Sequence, residues 1–238
     1  MNASHDAAPL AVIAGVGDGL SASLARRLHA AGYRLVLAAR DIDKLAALAA
    51  QTGAQRVACD AAQPASVAQL FDALPAPPRV AVYNPSARVR GPITEVDPEA
   101  VRRAIEITAF GAFLFGRQAA RRMLAQTADG DGVRGTILFT GASAGVKGFA
   151  QSASFAMGKF AQRGLAQSMS RELHPQGVHV AWINVDGGIR SASRPVPDDA
   201  PDSLLDPDAI AQIYLDLINQ HRSAWSHEIV VRPWVERF

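Results

Sequence analysis

A glycine triplet near the start of the chain has the spacing of a phosphate-binding loop. Gly15, Gly17 and Gly19 follow the apolar run from residue 10 to 14, and a helical pattern opens directly afterwards at Leu20. Glycines permit a tight turn and the close approach of a phosphate, and the free N–H groups of a helix N-terminus stabilise its negative charge. Because the triplet lies between a strand pattern and a helix pattern, it predicts a dinucleotide-binding loop rather than only a tight turn.

The end of the second apolar run indicates which dinucleotide is bound. An acidic side chain at this place would bind a ribose 2′-hydroxyl, but the chain has Arg40 there, and the first acid, Asp41, already begins the next helix. A forked guanidinium with a permanent charge suits a 2′-phosphate. Arg40 therefore favours NADP(H) over NAD(H), the alternative being an ordinary surface arginine. Asp18 occupies the position in the glycine loop where a second basic residue would strengthen this prediction.

A lone lysine lies in an apolar stretch later in the chain. Lys159 follows Phe155 and Met157 and precedes Phe160 in a helical pattern. An ammonium in such surroundings costs desolvation energy unless it has a partner, and ribose hydroxyls would supply one. We interpret Lys159 as a cofactor-binding residue, the alternative being a lysine that buries only its stem.

The elements that must position these residues alternate along the chain. Strands are predicted at 10–14, 34–39, 56–59, 80–84, 135–140, 179–184 and 228–231, and helices near 20–31, 42–51, 65–74, 98–126, 152–173 and 206–220. Strands that are apolar at nearly every position belong to a parallel sheet covered by helices on both faces. The pattern predicts an α/β, doubly wound fold in a single domain, residues 1–238.

Composition limits the functional classes. The chain of 238 residues is 49% hydrophobic and 19% charged, which excludes a disordered or fibrous chain and allows one large domain. No apolar run approaches the roughly 20 residues of a membrane span, and the first residues lack a secretory signal pattern. With the single cysteine Cys59, which cannot form an internal disulfide, this predicts a soluble, cytoplasmic protein.

Charge and histidine spacing argue against two further classes of partner. The net charge is only +2 and the arginine pairs are scattered over helical patterns, so we expect no nucleic-acid contact. The six histidines show no metal-ligand spacing, so we expect no metal.

One segment has the composition of a long loop. Residues 191–207 contain four of the fourteen prolines and no apolar period, and loops of this length inside a domain are usually functional or disordered. The segment follows the carboxyl end of a predicted strand, where open α/β sheets bind ligands. We predict a flexible substrate lid, with simple disorder as the alternative.

These features resemble the short-chain dehydrogenase/reductase superfamily from about Leu10 to the C-terminus. The resemblance implies a Rossmann-like sheet of about seven parallel strands in the order 3-2-1-4-5-6-7. The counterparts of the family's cofactor-binding motifs, the glycine loop, the acid after the third strand, N-N-A-G and P-G-x-x-x-T, are Gly15, Gly17, Gly19, Leu20, Asp60, Asn84, Gly187, Ile189 and Ser191. In the family, the acid contacts adenine and the last motif meets the nicotinamide carboxamide.

The family's catalytic residues are only partly matched. Its Y-x-x-x-K motif reads Phe155 to Lys159, so the lysine is present and the tyrosine is not. The substrate-orienting serine aligns with Ala142, beside Ser143, and the asparagine of the long central helix aligns with Thr108. The resemblance thus implies catalytic positions at Lys159, Ser143, Phe155 and Thr108, without the tyrosine that serves as general acid, a contribution of roughly 10²–10⁴-fold in rate.

Other hydroxyls are candidates to replace the missing phenol. Tyr83 ends the fourth predicted strand, and Ser143, Ser152 and Ser154 lie near Phe155 in the sequence. For each of them, packing or capping is the ordinary interpretation.

Two functional hypotheses follow. The first is an NADP(H)-dependent oxidoreductase with an atypical active site, transferring hydride to or from a small carbonyl or alcohol substrate. The second is a dinucleotide-binding sensor or scaffold subunit without turnover. By resemblance, helices 98–126 and 152–173 would pair across subunits in a homodimer or homotetramer.

Overall fold

A computed structural model describes residues 8–236 and places seven parallel strands in one sheet. Counted along the chain, the seven strands of this sheet lie side by side in the order 3-2-1-4-5-6-7. This confirms the predicted doubly wound fold and strand order. The strands are β1 (Leu10–Ala14), β2 (Arg34–Ala39), β3 (Gln55–Ala58), β4 (Val80–Tyr83), β5 (Gly135–Thr140), β6 (Val178–Val185) and β9 (Glu228–Val231).

Seven α-helices connect and cover these strands. They are α1 (Leu20–Ala30), α2 (Ala46–Thr52), α3 (Pro64–Asp72), α4 (Pro98–Ile105), α5 (Gly111–Leu124), α6 (Ala153–Leu173) and α7 (Pro207–Ile218). Strands β1, β4, β5 and β6 are buried along their whole length, as expected for a sheet with helices on both faces. Two apolar clusters fill the space between the helices and the two sides of the sheet.

The parallel register brings the ends of the central strands to one edge. Ala14 of β1 pairs with Ala38 of β2 on one side and with Tyr83 of β4 on the other. The loops that follow these strands therefore meet at the carboxyl edge of the sheet, where open α/β folds bind ligands.

The predicted helix 98–126 is continuous but contains a π-helical turn. Glu106–Phe110 connects α4 and α5. A π-turn releases carbonyls from the α-helical ladder, and here two carbonyls in it have partners from other elements: the Tyr83 hydroxyl donates to Ile107 O, and Gln162 Nε2 donates to Thr108 O at 3.4 Å. These partners come from distant parts of the chain, so periodicity alone does not predict the turn.

The segment after β6 has more structure than its composition suggests. A small parallel sheet pairs β7 (Gly188–Ile189) with β8 (Leu204–Leu205), and Ser191 bridges to Arg194. Two-residue strands are too short for a periodic signal, so they escaped the sequence prediction. Between 8 and 236, no helix is both long and apolar enough to cross a membrane.

Candidate active site

The glycine loop is held in a conformation that only glycine adopts easily. Gly15 has φ of +75°, and a Cβ atom built there would lie 2.6 Å from the backbone nitrogen of Pro85. Its N–H donates to Ala38 O at 2.9 Å, which fixes the start of the loop against β2. The Cβ position of Gly17 faces open space, and that of Gly19 would lie 3.9 Å from Ser191 Cβ, so the loop leaves room for a bound group at Gly17.

Asn84 fastens this loop from the neighbouring strand. Its Nδ2 donates to Ser21 Oγ at 2.6 Å and to Gly15 O at 3.2 Å, and Ser21 Oγ itself donates to Gly15 O at 3.2 Å. The side chain predicted to bind cofactor therefore shapes the loop that would do so. Leu20, the first residue of α1, is buried behind it.

Two adjoining cavities extend along the carboxyl edge of the sheet. The larger, about 1020 Å³, runs from Arg40 and Lys44 past Asp60 to Asn84. The smaller, about 360 Å³, lies between the glycine loop and the residues that follow β6. Their linings include the predicted cofactor residues Gly15, Gly17, Gly19, Leu20, Arg40, Asp60, Asn84, Ile189 and Ser191.

Gly187 lies at the end of β6 and lines neither of these cavities. It has φ of +151°, and a Cβ atom there would approach the Pro233 ring to 2.9 Å. Gly187 therefore permits a turn after β6 that a larger residue would obstruct. Ile189 and Ser191, which follow this turn, line the smaller cavity.

Asp60 lies at the larger cavity but is not a free carboxylate. Its oxygens accept hydrogen bonds from Ala62 N at 3.0 Å and from Arg103 Nη2 at 2.7 Å. Burial raises the pKa of the Asp60 carboxyl, but the bonds from Ala62 and Arg103 outweigh it, so the pKa lies below its ordinary value. Arg103 was not among the predicted site residues.

Lys159 is buried beside the site without an acidic partner. Only 2% of the residue is exposed, and its Nζ donates to Thr140 O at 2.6 Å and to Gln162 Oε1 at 3.4 Å. Within residues 8–236 it forms no ion pair. Burial lowers the pKa of the Lys159 ammonium to about 7, because carbonyl oxygens replace only part of its hydration.

Gln162 connects Lys159 to the central helix, and sequence reasoning missed it. Its Oε1 accepts from Lys159 and from Trp182 Nε1 at 3.3 Å, while its Nε2 donates to Thr108 O. The available signal was its position three residues after Lys159, on the same face of a helix.

Thr108 is fully buried, and its hydroxyl is engaged by the loop after β4. Thr108 Oγ1 accepts from Ala87 N at 3.0 Å and lies 3.5 Å from Ala87 O. A Cβ atom on Gly158 would lie 2.9 Å from Thr108 Cβ, so α6 packs directly on the π-turn. In this arrangement Thr108 holds backbone and has no contact with either cavity.

Phe155 is partly buried between two cations. The Lys159 Nζ lies 5.9 Å from the centre of the Phe155 ring, and the Arg88 guanidinium carbon lies 5.2 Å from it. Arg88 Nη2 also donates to the buried Ser152 hydroxyl. Sequence reasoning missed Arg88, whose only signal is its place in the loop after β4.

Most of the candidate replacement hydroxyls are already engaged. The Ser154 hydroxyl exchanges hydrogen bonds with Val89 N and O at 3.0 and 3.1 Å, and Ser152 accepts from Arg88. Ser143 begins a short 3₁₀ turn after β5 and is partly exposed. Its hydroxyl has no hydrogen-bond partner among the described residues.

No tyrosine of the described chain substitutes for the missing phenol. Tyr83 is fully buried beneath the π-turn with its hydroxyl on Ile107 O, and burial raises its pKa. Tyr214 is also buried, on α7, with its hydroxyl 2.8 Å from Thr140 Oγ1. Tyr33 lies at the entry of β2, at the opposite edge of the sheet.

The sheet order, glycine loop and cavities together define a dinucleotide-binding protein of the Rossmann type. The family model described as short chain dehydrogenase matches residues 9–194. The chain therefore belongs to the short-chain dehydrogenase family of oxidoreductases, which confirms the resemblance seen in the motifs.

Known relatives extend over nearly the whole chain. A short-chain dehydrogenase from Rhodopseudomonas palustris is 34% identical, with a TM-score of 0.79 over 95% of this chain and 98% of that one. A metagenomic short-chain oxidoreductase, solved in complex with NADP, is 27% identical, with the same TM-score and coverage. An uncharacterized oxidoreductase of Staphylococcus aureus is 26% identical over 94% of this chain and 96% of its own length.

Proposed function

We propose that the protein is an NADP(H)-dependent oxidoreductase that transfers hydride to or from a small carbonyl or alcohol substrate. The observation that carries the proposal is that buried Lys159 donates to Thr140 O, three residues before the unengaged Ser143 hydroxyl. Neither side chain lines the two cavities, but Thr140 ends β5 at the carboxyl edge of the sheet, where those cavities lie. Retaining an ammonium at 2% exposure costs desolvation energy, which a bound ribose would offset.

The residues present fit the nicotinamide cofactor of the family. The glycine loop and the N-terminus of α1 offer N–H groups to a pyrophosphate, and the open Cβ position of Gly17 leaves space for it. Lys159 would hold ribose hydroxyls, and Ile189 and Ser191 would meet the nicotinamide end. When bound, NADPH supplies the hydride.

NADP(H) rather than NAD(H) is favoured by the charge at the end of β2. Arg40 lines the larger cavity where the adenosine ribose would lie, as does Lys44, which pairs with Asp41 at 3.3 Å. The last residue of β2, Ala39, offers no carboxylate to accept from a 2′-hydroxyl. The relative solved with NADP supports the same choice.

The chain's own contribution to catalysis is orientation and charge. Ser143 donates a hydrogen bond to the substrate oxygen and fixes it relative to the cofactor. Phe155 excludes water on one side but moves no proton, so water supplies the proton that converts an alkoxide to an alcohol. This predicts a slow enzyme, or one whose substrate forms a stable oxyanion.

Tritium transfer tests the proposal without a guess about the substrate. The protein is incubated with NADPH tritiated on C4 and a pool of cell metabolites, with Lys159→Ala as the control variant. Label that moves into a metabolite only with the unmutated protein supports hydride transfer and identifies the substrate class. Label that stays on a demonstrably bound cofactor overturns the proposal.

A sensor or scaffold without turnover is the second candidate, favoured by a specific observation. Phe155 stands at the tyrosine position, and Thr108, Ser152 and Ser154 all use their hydroxyls to hold backbone or Arg88. Such a protein would bind NADPH with normal affinity and change its assembly or partner binding in response.

We also propose that the chain forms a homodimer or homotetramer through α5 and α6. Phe110, Phe113 and Phe160 are each 44–45% exposed, and Met157 is 54% exposed. Phe115, in contrast, is a core residue. Exposed aromatic and apolar side chains in this number are typical of an interaction surface.

The segment 191–207 remains our proposed substrate lid. It follows β7 beside the smaller cavity, and Ser191, Ser193 and Arg194 line that cavity. The Trp234 indole donates to Asp202 at 3.1 Å, which tethers the far part of the segment. Phe238, near Trp234 in the sequence, lies outside the described residues.

A further inference from the structure

We propose that Arg88 is a substrate-binding residue that grips an oxyanion, so that the substrate carries a carboxylate or a phosphate group beside its reacting centre. The inference deepens the proposed function and rests on it for the reaction, although the anion site itself is a binding property. It starts from the position of Arg88 over Phe155, the residue at the family's tyrosine position.

The Arg88 guanidinium is fixed on two sides. Its carbon lies 5.2 Å from the centre of the Phe155 ring, and Nη2 donates to Ser152 Oγ, in a residue that is fully buried. Stacking on an aromatic ring and one hydrogen bond orient the planar group. Most of its five N–H groups remain free to donate. Arg88 is exposed, and it follows Ala87, which lines the larger cavity.

No acid neutralises this guanidinium. Arg88 forms no ion pair within residues 8–236. Burial lowers the pKa of Arg88, and repulsion from the positive charge of the neighbouring Arg90 lowers it further. Both effects disfavour the charged form of Arg88. A cation in such a place is stabilised by binding an anion.

The residues that neighbour Arg88 in the loops after β4 and β5 are basic. The loop after β4, residues 84–97, contains Arg88 and Arg90, while its two acids, Glu95 and Asp97, come at its end, where Asp97 caps α4. The loop after β5, residues 141–152, contains Lys147 and no aspartate or glutamate. A local excess of one sign of charge concentrates ligands of the opposite sign.

The chemistry of arginine excludes the alternative that Arg88 replaces the missing general acid. A guanidinium remains protonated at physiological pH, so it stabilises a negative group without transferring a proton. Its forked N–H groups match the two oxygens of a carboxylate or a phosphate in a bidentate pair. The same group explains how an enzyme without the tyrosine can orient its substrate.

Matched probe pairs test the inference by binding rather than by turnover. The protein saturated with NADP⁺, which has no hydride to transfer to a carbonyl, is titrated with 2-oxo acids of three to six carbons against their methyl esters, and with ketose phosphates against the free ketoses. Titration calorimetry reports binding. We expect one anionic series to bind at least tenfold more tightly than its neutral counterparts, and the preferred series distinguishes carboxylate from phosphate.

The variant Arg88→Gln should reduce that preference to below about threefold, whereas the matched control Arg90→Gln should keep most of it. The NADPH affinity of each variant, measured separately, shows whether the site is intact. If Arg88→Gln loses cofactor binding, the variant Ser152→Ala tests the anion site instead. It keeps the charge of Arg88 but removes the hydrogen bond that orients the guanidinium, and we expect three- to tenfold weaker anion binding.

Equal binding of anionic and neutral probes by the wild-type protein, or no binding of either, would overturn the inference. A preference that survives Arg88→Gln in an intact protein would also overturn it. If Arg88→Gln loses cofactor binding, an unaltered anion affinity in Ser152→Ala would do so instead. Failure of the proposed function is distinguishable from these. Anion preference without tritium transfer would support this site in a non-catalytic protein, and tritium transfer only to neutral metabolites would support the oxidoreductase without it.

Discussion

Replacing Lys159 by methionine should stabilise the cofactor-free protein, and more so at low pH. The Lys159 ammonium is 2% exposed and has only carbonyl partners, and burial lowers its pKa to about 7 from an ordinary 10.5. Because the folded state then binds the proton less tightly than the unfolded state, the penalty is full below pH 7 and disappears as the pH rises above 10.5.

The magnitude follows from the two pKa values. Each tenfold difference in proton affinity corresponds to about 1.4 kcal/mol, so the charged lysine costs up to about 5 kcal/mol at pH 6 and roughly 2 kcal/mol at pH 9. Methionine removes the Lys159 donor from Thr140 O and leaves Gln162 Oε1 with the Trp182 indole alone, which reduces the gain by a similar amount at both pH values. The difference between wild type and variant should therefore shrink by roughly 2.5 kcal/mol from pH 6 to pH 9.

Urea unfolding of both proteins at pH 6 and pH 9, at one protein concentration, measures this difference. The comparison cancels every other titrating group, since both proteins share them. Lys147→Met is the control, because Lys147 is exposed and its substitution should give the same difference at both pH values. A Lys159→Met difference that varies by less than 0.5 kcal/mol would show that the buried ammonium is not penalised, and it would refute the reasoning.

Three further predictions concern the site and the assembly. Phe155→Tyr should raise NADPH-dependent reduction of simple aldehydes by about 10²-fold or more, since it restores a general acid. The control Phe160→Tyr, on the exposed face of the same helix, should not raise this rate. No gain in a Phe155→Tyr protein that still binds NADPH would contradict a carbonyl-reducing geometry. Arg40→Ala should weaken NADPH binding by about 10–100-fold through loss of charge-assisted hydrogen bonds while leaving NADH binding unchanged. Equal loss for both cofactors would argue against a 2′-phosphate site, and Arg34→Ala at the other end of β2 is the control. Phe113→Asp should shift the sedimentation of the protein toward monomer, and a wild type that is already monomeric at micromolar concentration would remove the proposed oligomer.

Elements with a strong local pattern were predicted well. The strands β1, β2, β5 and β9 have the predicted bounds, and the ends of the others differ from the predicted ends by at most one residue. Buried parallel strands are apolar at every position, which is visible in a short window of sequence. The glycine loop was also predictable from the sequence, because a strand, a triplet of glycines and a helix follow one another directly.

Features that depend on contacts between distant residues were not predicted. The π-turn Glu106–Phe110 exists where Tyr83 and Gln162 take its carbonyls, and neither partner is within its window of sequence. The small sheet of β7 and β8 joins residues about sixteen positions apart with two residues each, which leaves no periodic signal.

The sequence by itself determined the alternation of strands and helices, the dinucleotide loop and the presence of Lys159 without its tyrosine, because each is encoded in neighbouring residues. The order of the strands in the sheet was implied by the family resemblance. Only the tertiary structure decided which polar groups are free to act. Thr108, at an expected catalytic position, is engaged, and so are Ser152 and Ser154, for which packing or capping was the ordinary interpretation. Arg88, 67 positions before Phe155 in the chain, lies over its ring. The physical reason is that hydrogen bonding and burial depend on what the fold brings within a few ångströms, which the spacing of residues along one element does not specify.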